Sequence, residues 1–586
     1  MKKIILKFLL CIGCCVYAQQ PAFPTAYGGG AYATGGRGGT VYHVTNLNND
    51  GTGSFRAALS QPRPAIIVFD VSGVIDCTTK LWITGNDLTI AGQTAPEGGI
   101  TITTSGNNTN PQFGNSSNII IRYIRFRMQF YGDTALTIYP GSSEGDSANN
   151  IILDHVSISY AGLQGFTVRG KDTYNITFQN GLIAESKTGS LFGDTDPNNA
   201  GFSYNNTFRN TLFYNISHRT PNSSSGRTDI YNNVVYDWIN RWTVVKTNAL
   251  VNHFNNYIFT GNKTTLFTQW QQETPVWQVN GVTNENPTFP PSIYSAGNIV
   301  QDLFEDPLED NTQTLWIEHA FSGQTERVDP ALFRVNPHAY IGRLPIFLTA
   351  VEASVAIPIG AGSNKFLNED GTVGLYRDAQ DTRYINNTIN DTPEPWTCCN
   401  SGANNNRHSA IEGSDYVNFI SSINGTPINT RPASYDTDND GMADIWETAT
   451  FGDLTKDGTA DTNGNGYSDL EEFLNQVDVE IVITPIAVTS VTITPSTATT
   501  AINTTTQLTR TILPIDATDK TGNWSTSNGA IATVSQTGLV EGKSVGTATI
   551  TYTTTDGSFT DTSTITVTET SSSGGTDAKL KLLISN

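Results

Sequence analysis

The chain has 586 residues, with 33 Lys and Arg against 54 Asp and Glu and a formal net charge of −21. That acidic excess excludes a basic nucleic-acid-binding face, and 15% charged residues beside 53 glycines exclude long charged helices and coiled coils in favour of turns and short strands. A hydrophobic fraction of 37% supplies a sizeable core, which excludes global disorder, and the length fits several domains.

The first element is an apolar run in which Lys2 and Lys3 precede Ile4 to Tyr17, closing on Val16-Tyr17-Ala18. A basic start, a short apolar stretch and a small-residue end predict a secretory signal peptide over 1–18, hence a secreted or surface protein. Acylation of Cys14 or Cys15 is the alternative, a lipoprotein reading resting on a loose lipobox. No later run is long enough to predict a membrane span. Past the signal three cysteines remain, Cys77, Cys398 and Cys399, too few for a disulfide framework or a zinc site. One bridge and one leftover thiol are expected.

From about 20 to 270, short β-branched and aromatic segments alternate with period two and open on asparagine, at Asn118, Asn150, Asn175, Asn205, Asn232 and Asn252. These positions differ by 32, 25, 30, 27 and 20 residues. A unit of that size, holding strands and turns, predicts a parallel β-helix whose rungs bury their inner faces by stacking. Asparagine suits the corners, because it tolerates the left-handed conformation and its amides stack as ladders. A β-sandwich is the alternative, although its strands recur at shorter intervals.

Ala22 to Thr45 (AFPTAYGGGAYATGGRGGTVYHVT), Gly51 to Ala58 (GTGSFRAA), Ile67 to Ile75 (IVFDVSGVI) and Leu88 to Pro96 (LTIAGQTAP) resemble the opening of secreted bacterial pectate lyases. The resemblance runs on through Ile119 to Arg127, Ile152 to Ser159 and Tyr231 to Trp238, and covers roughly 20–400. It implies a right-handed parallel β-helix over 19–430 in an otherwise all-β protein. It also implies cleavage of an acidic plant or algal polysaccharide by β-elimination, with Ca²⁺ as cofactor, no nucleic-acid partner and a monomeric state. The family's arginine base, followed two residues later by proline, matches Arg219 in His218-Arg219-Thr220-Pro221, 12 residues before Tyr231. Lys187 resembles the family lysine that binds the substrate carboxylate. The arginine expected soon after the base is missing, with Asn222 and Ser224 nearby, so Arg227 and Arg241 stand as substitutes.

For the catalytic Ca²⁺ the resemblance leaves Asp133 as the acidic candidate, with Asp146, Asp172 and Glu185 weaker. The acidic pair that often follows the Asp-His strand is replaced by Tyr160 to Gly165 (YAGLQG). Substrate carboxylates completing the site, a metal-poor enzyme and a decayed one are the open alternatives. Asp154 and His155 belong to the resemblance, and alternation fits rung packing as well as chemistry, so neither is placed in the site. A glycoside hydrolase with Asp194 and Asp196 as its carboxylates is a distant alternative.

Over 270–430 the rungs fade, and Trp270, Trp277, Trp316 and Trp396 with prolines predict long loops and irregular strands closing the helix. Behind them lies a segment, 431–478, with two loops of calcium-binding spacing. Asp436, Asp438, Asp440, Asp444 and Glu447 hold positions 1, 3, 5, 9 and 12 around Gly441, and Asp461, Asn463, Asn465, Asp469 and Glu472 repeat the pattern 25 residues later around Gly466. The segment resembles EF-hand-like, thrombospondin type 3-like calcium modules, which implies a structural role; a solvated acidic linker is the alternative. Residues 486–569, with alternating strands around Trp524, resemble a group 2 bacterial immunoglobulin-like sandwich, and 570–586 read as a flexible tail. The non-enzymatic alternative for the whole chain is a carbohydrate-binding or adhesion protein built on a decayed lyase helix.

Overall fold

The computed structural model describes residues 19–105, 109–128, 134–141, 143–170, 172–193, 204–216, 219–224, 226–238, 243–246, 249–259, 290–301, 329–393, 423, 425–478, 487–514, 517, 522–536 and 538–569. The strands Trp277–Asn280, Trp316–His319 and Thr325–Arg327 are described as backbone. Outside these lie the signal segment, Asp133, Lys171, Asp194, Asp196, His218, Arg241, Trp270, Trp396, Cys398, Cys399 and the tail. Two compact units divide the chain, 1–481 and 482–586.

The first unit is a parallel β-helix. One face stacks nine strands in strict chain order, from Gly73–Asp76 through Ile100–Thr104, Ile124–Met128, Ser157–Ser159, Leu182–Ala184, Leu212–Tyr214, Val234–Tyr236 and Tyr257–Ile258 to Ile299–Val300. A second ladder climbs from Thr40–Val44 through Ala148–Asp154, Thr173–Gln179 and Gly226–Tyr231 to Ser292–Ala296. A third runs Leu136–Ile138, Gln164–Val168, Thr188–Phe192, Asn222–Ser223 and Val244–Val245.

The corners follow the asparagine pattern. Asp87, Asn118, Asn150, Asn175 and Asn205 all have φ between 53° and 58°, and each amide reaches the residue one rung below at 2.9, 3.3, 2.9 and 3.2 Å. Asn232 belongs to a second corner column with Asn180, Asn210 and Asn255. Asn252, read as a rung opener, instead lies inside the strand Ala249–Phe254. Inside, aromatic rings stack along the axis, with Phe178 and Phe208 4.9 Å apart. Cys77 is a free, buried thiol in this core, and burial raises it to about 11.

Two helices, Ala350–Gly360 and Ala379–Ile389, stand where the sequence reading has only loops and irregular strands. Their caps were legible locally: Thr349 and Glu352 form a capping box, and Asp378 caps the second helix. Arg127 Nη2 clamps Asp378 at 2.8 Å and Asp381 at 2.6 Å, tying the second helix to the nine-strand face. The segment 431–478 packs on the same unit, where Trp446, Leu470 and Phe473 meet Ile66, Val68, Ala91 and Tyr123. No described helix is long and apolar enough to cross a membrane.

The second unit is a sandwich. Strands Thr497–Ala501, Thr560–Thr568, Gly546–Thr554 and Gly522–Thr526 form one sheet, and Thr505–Gln507, Leu539–Gly542 and Ala532–Val534 another. Trp524 packs on Tyr552 at 5.1 Å in its core.

Candidate active site

The third ladder brings Lys187 and Arg219 together. Lys187 precedes the strand Thr188–Phe192 and its amide donates to the Ala161 carbonyl at 2.9 Å on the rung below. Arg219 lies just before Asn222–Ser223 on the next rung, and its carbonyl accepts from the Ser190 amide. Successive rungs are about 4.8 Å apart, so the backbones of the two residues lie on neighbouring rungs at the leading edge of one sheet, one residue out of register. Gly189 permits this approach, because a Cβ there would come within 2.5 Å of the Arg219 carbonyl oxygen.

Arg219 has φ +64°, the left-handed conformation that the corner residues of this helix share. Both residues are half-buried. Burial lowers the Arg219 guanidinium below its ordinary range, and among the described residues no carboxylate forms an ion pair with it. A guanidine that loses its proton more readily is better able to accept one from a substrate.

Arg227 is placed elsewhere. It lies in Gly226–Tyr231 on the second ladder, where its guanidinium donates to the Ala339 carbonyl. Arg241 and Asp133 lie outside the described residues.

Among the described residues, the donors at Lys187 and Arg219 do not fit a divalent cation, which takes 6–8 oxygens. On the rung below, Ala161, Leu163 and Gln164 offer no carboxylate, and Gln164 Oε1 already accepts from Thr134 Oγ1 at 3.0 Å. Glu185 is engaged by Arg383 at 2.7 Å and Tyr384 at 2.9 Å. Burial opposes its ionisation, yet Arg383 holds it below the ordinary carboxylate range. Asp146 is taken up by Asn115 at 3.0 Å and the Ser143 amide at 2.9 Å. Asp154 is fully buried, and against the cost of burial the charges of His155 and Arg122 hold it below the carboxylate range. Arg122 Nε meets it at 2.9 Å while the His155 ring stacks on Tyr123 at 4.6 Å, so both motif residues pack the rungs.

Carboxylates do gather in the first calcium-type loop. Oxygens of Asp436, Asp438 and Asp444, and of Asp438, Asp440 and Glu447, lie within 4.8 Å of one another. Gly441 takes φ +94° at the turn, and the Gly441 amide donates to Asp436 at 2.9 Å. Glu447 is completely buried with neither carboxylate oxygen hydrogen-bonded, and Asp440 Oδ2 is likewise orphaned. Burial and the neighbouring acids push Glu447 up to about 8 and Asp440 up to about 7. Buried oxygens without donors are the condition a bound cation relieves.

The second loop differs. Its residues 461–466 are exposed, and Glu472 accepts from Asn463 at 3.3 Å and from Asn465. Asp469 accepts from Thr462 at 2.9 and 2.6 Å. One contact had no signal in the sequence: His43 of the first rung approaches Asp436 at 3.6 Å while holding Asp70 at 3.0 Å. No local pattern links residues so far apart in the chain.

A family model for a group 2 bacterial Ig-like domain matches residues 487–575. The β-helical unit is similar to proteins named probable pectate lyase C. That of Emericella nidulans is 35% identical over 327 residues, 53% of this chain and 73% of that protein. That of Aspergillus oryzae is 41% identical over 217 residues, 37% of this chain and 48% of that protein. The chain thus spans about half the length of several curated relatives it matches. Among solved structures, the cedar pollen allergen jun a 1 is 17% identical with a TM-score of 0.43, covering 57% of this chain and 92% of that one. A pectate lyase from Bacillus sp. N165 in complex with trigalacturonate is 15% identical with a TM-score of 0.37, covering 57% of this chain and 98% of that one. At those scores the likeness decides nothing about function.

Proposed function

This chain belongs to the pectate lyase family, and on that premise we propose that it cleaves pectate or a related uronate polymer by β-elimination. The reading is supported by the placement of the Lys187 and Arg219 segments on successive rungs at one sheet edge, with Arg219 half-buried and outside any described ion pair. The neutral guanidine of Arg219 takes the proton from C5. The electron pair left on C5 becomes the C4–C5 double bond, and the C4–O bond breaks, its oxygen leaving with the departing chain and gaining a proton from solvent. Lys187 binds the carboxylate carried by C5 and stabilises the charge that spreads onto it in the transition state. No step is routed through a metal at this pair.

The calcium assignment is separate and structural. Asp436, Asp438, Asp440, Asp444 and Glu447 hold Ca²⁺, and Asp461, Asn463, Asn465, Asp469 and Glu472 form a weaker second position. Residues 19–430, 431–478 and 486–569 act as lyase helix, calcium segment and spacer domain of a secreted monomer whose signal occupies 1–18. A second reading, non-catalytic binding of the same polymer, is favoured by one observation: the uncharged stretch Ala161 to Gln164 facing the catalytic rung.

The test incubates the 19–586 protein with polygalacturonate and follows the ultraviolet absorbance of the unsaturated product. The expected result is product from the wild type, a fall of roughly 10²–10⁴-fold in Arg219→Ala and a rise in KM in Lys187→Ala. Tight polymer binding without product from a folded wild type supports the second reading and overturns the first.

A further inference from the structure

Three of the tryptophans whose side chains are described are core residues: Trp238, Trp446 and Trp524 are 1%, 7% and 5% exposed. Trp82 is 49% exposed, at the start of the strand Trp82–Ala91. An indole on a strand in solvent contributes little to the core and offers a flat apolar face to a ligand. The Lys80 ammonium lies 5.3 Å from its ring centroid and reaches Asn110 Oδ1 at 3.4 Å. Arg56 fixes the turn beneath, donating to the Lys80 carbonyl at 2.8 Å and the Thr79 carbonyl at 2.9 Å.

This pair stands on the same sheet edge as the catalytic residues. The Gln112 amide donates to the Leu81 carbonyl at 2.9 Å, Thr137 to Pro111 at 3.2 Å, Ala135 to Gln164 at 2.9 Å and Thr188 to Leu163 at 2.9 Å, and Ser190 donates to Arg219. Those bonds link six successive strand starts. The register agrees, pairing Trp82 with Gln112, Gln112 with Thr137, Thr137 with Thr167, Thr167 with Leu191 and Leu191 with Asn222. Five steps of about 4.8 Å place Trp82 about 24 Å from Arg219 along the helix axis. Between them Leu163 is 38% exposed, so solvent reaches the edge midway.

We propose that Trp82 and Lys80 form a distal subsite for the uronate polymer, the indole stacking on a sugar ring and the ammonium pairing with its carboxylate. The proposal rests on the lyase reading above, with the polymer running from Arg219 along this edge. A sugar residue is about as long as one strand spacing, so only a chain of several residues reaches both ends. The subsite therefore makes the protein select long chains over short oligomers, and on a protein of net charge −21 it supplies a local cation for a polyanion.

The test measures binding by calorimetry to polygalacturonate and to trigalacturonate, in the full chain carrying Arg219→Ala so that nothing is turned over. Adding Trp82→Ala or Lys80→Ala is expected to weaken polygalacturonate binding about 5- to 10-fold, with trigalacturonate affinity unchanged and Trp82→Phe restoring most of the loss. No loss, or an equal loss for both ligands in a protein that melts like its parent, overturns the subsite. The two readings fail separately. Product from wild type with no Trp82 effect on polymer binding sinks the subsite alone, whereas loss of long-chain binding in Trp82→Ala with no product from wild type keeps the subsite and sinks the lyase reaction.

Discussion

The β-helix and the segment behind it both bury carboxylates, and they treat them oppositely. In the helix, Asp154 meets Arg122, Glu185 meets Arg383, and Asp378 and Asp381 share Arg127. Each of these four carboxylates has a guanidinium within hydrogen-bond reach, and Asp154, Glu185 and Asp378 are held below the ordinary carboxylate range despite burial, whereas Asp229 of the same helix meets only Asn252 and the Ile341 amide and burial pushes it up to about 6. In the loop 436–447, Glu447 is as deeply buried, yet its neighbours are Asp440, Asp438, Asp436 and Asp444, and burial first and then these acids push it up to about 8. Burial alone does not mark a metal site. A cluster of unmatched charges does, because several carboxylates crowded into a low dielectric must gather a cation or take up protons.

The comparison breaks most visibly if a matched partner is removed. Arg127→Met strips buried Asp378 and Asp381 of their hydrogen-bonded guanidinium and leaves only Arg125 at 3.8 Å from each, and the unfolding temperature of the first unit should fall by the equivalent of about 3 kcal/mol in calorimetry. Supplying the missing cation to the unmatched loop is the next largest effect. Raising free Ca²⁺ from chelator to about a hundred times its Kd should stabilise the same unit by about 2.7 kcal/mol. Glu447→Gln should abolish that response, and in chelator it should melt at or above wild type, since a neutral amide relieves the repulsion. A calcium response that survives the substitution would show that the ion sits elsewhere.

Acid sharpens the contrast further. Asp154 ionises at lower pH in the folded chain than in the unfolded one, so its contribution is complete above the unfolded value of about 3.9 and drains away as pH falls through the folded value. Urea midpoints should therefore drop steeply below about pH 4 in wild type and less steeply in Asp154→Asn. The smallest effect belongs to the second loop. Glu472→Gln changes a half-exposed group and should shift stability by no more than about 0.5 kcal/mol, with the calcium response of the first loop intact.

Much of the fold was legible because β-helix corners impose a local demand. Each turn needs a left-handed residue, so asparagine recurs at Asn118, Asn150, Asn175 and Asn205 and the repeat can be counted. The helices Ala350–Gly360 and Ala379–Ile389 were obscured by weak patterns, although Thr349 with Glu352 and Asp378 were readable caps. Of the candidate site, Lys187 and Arg219 followed from local motifs. Arg227 looked equivalent by its distance along the chain, but a turn of the helix carries it to another ladder and the Ala339 carbonyl.

By itself the sequence determined the repeat, the loop spacings and the chemical types at each candidate position, since these depend on neighbours in the chain. Tertiary structure alone decided which of two equally spaced acidic loops buries its closing glutamate with neither oxygen hydrogen-bonded. It also decided that His43 faces Asp436, and that Trp82 shares an edge with Arg219 five rungs away. Burial, charge pairing and alignment along a helix axis are set by chain segments that meet only on folding.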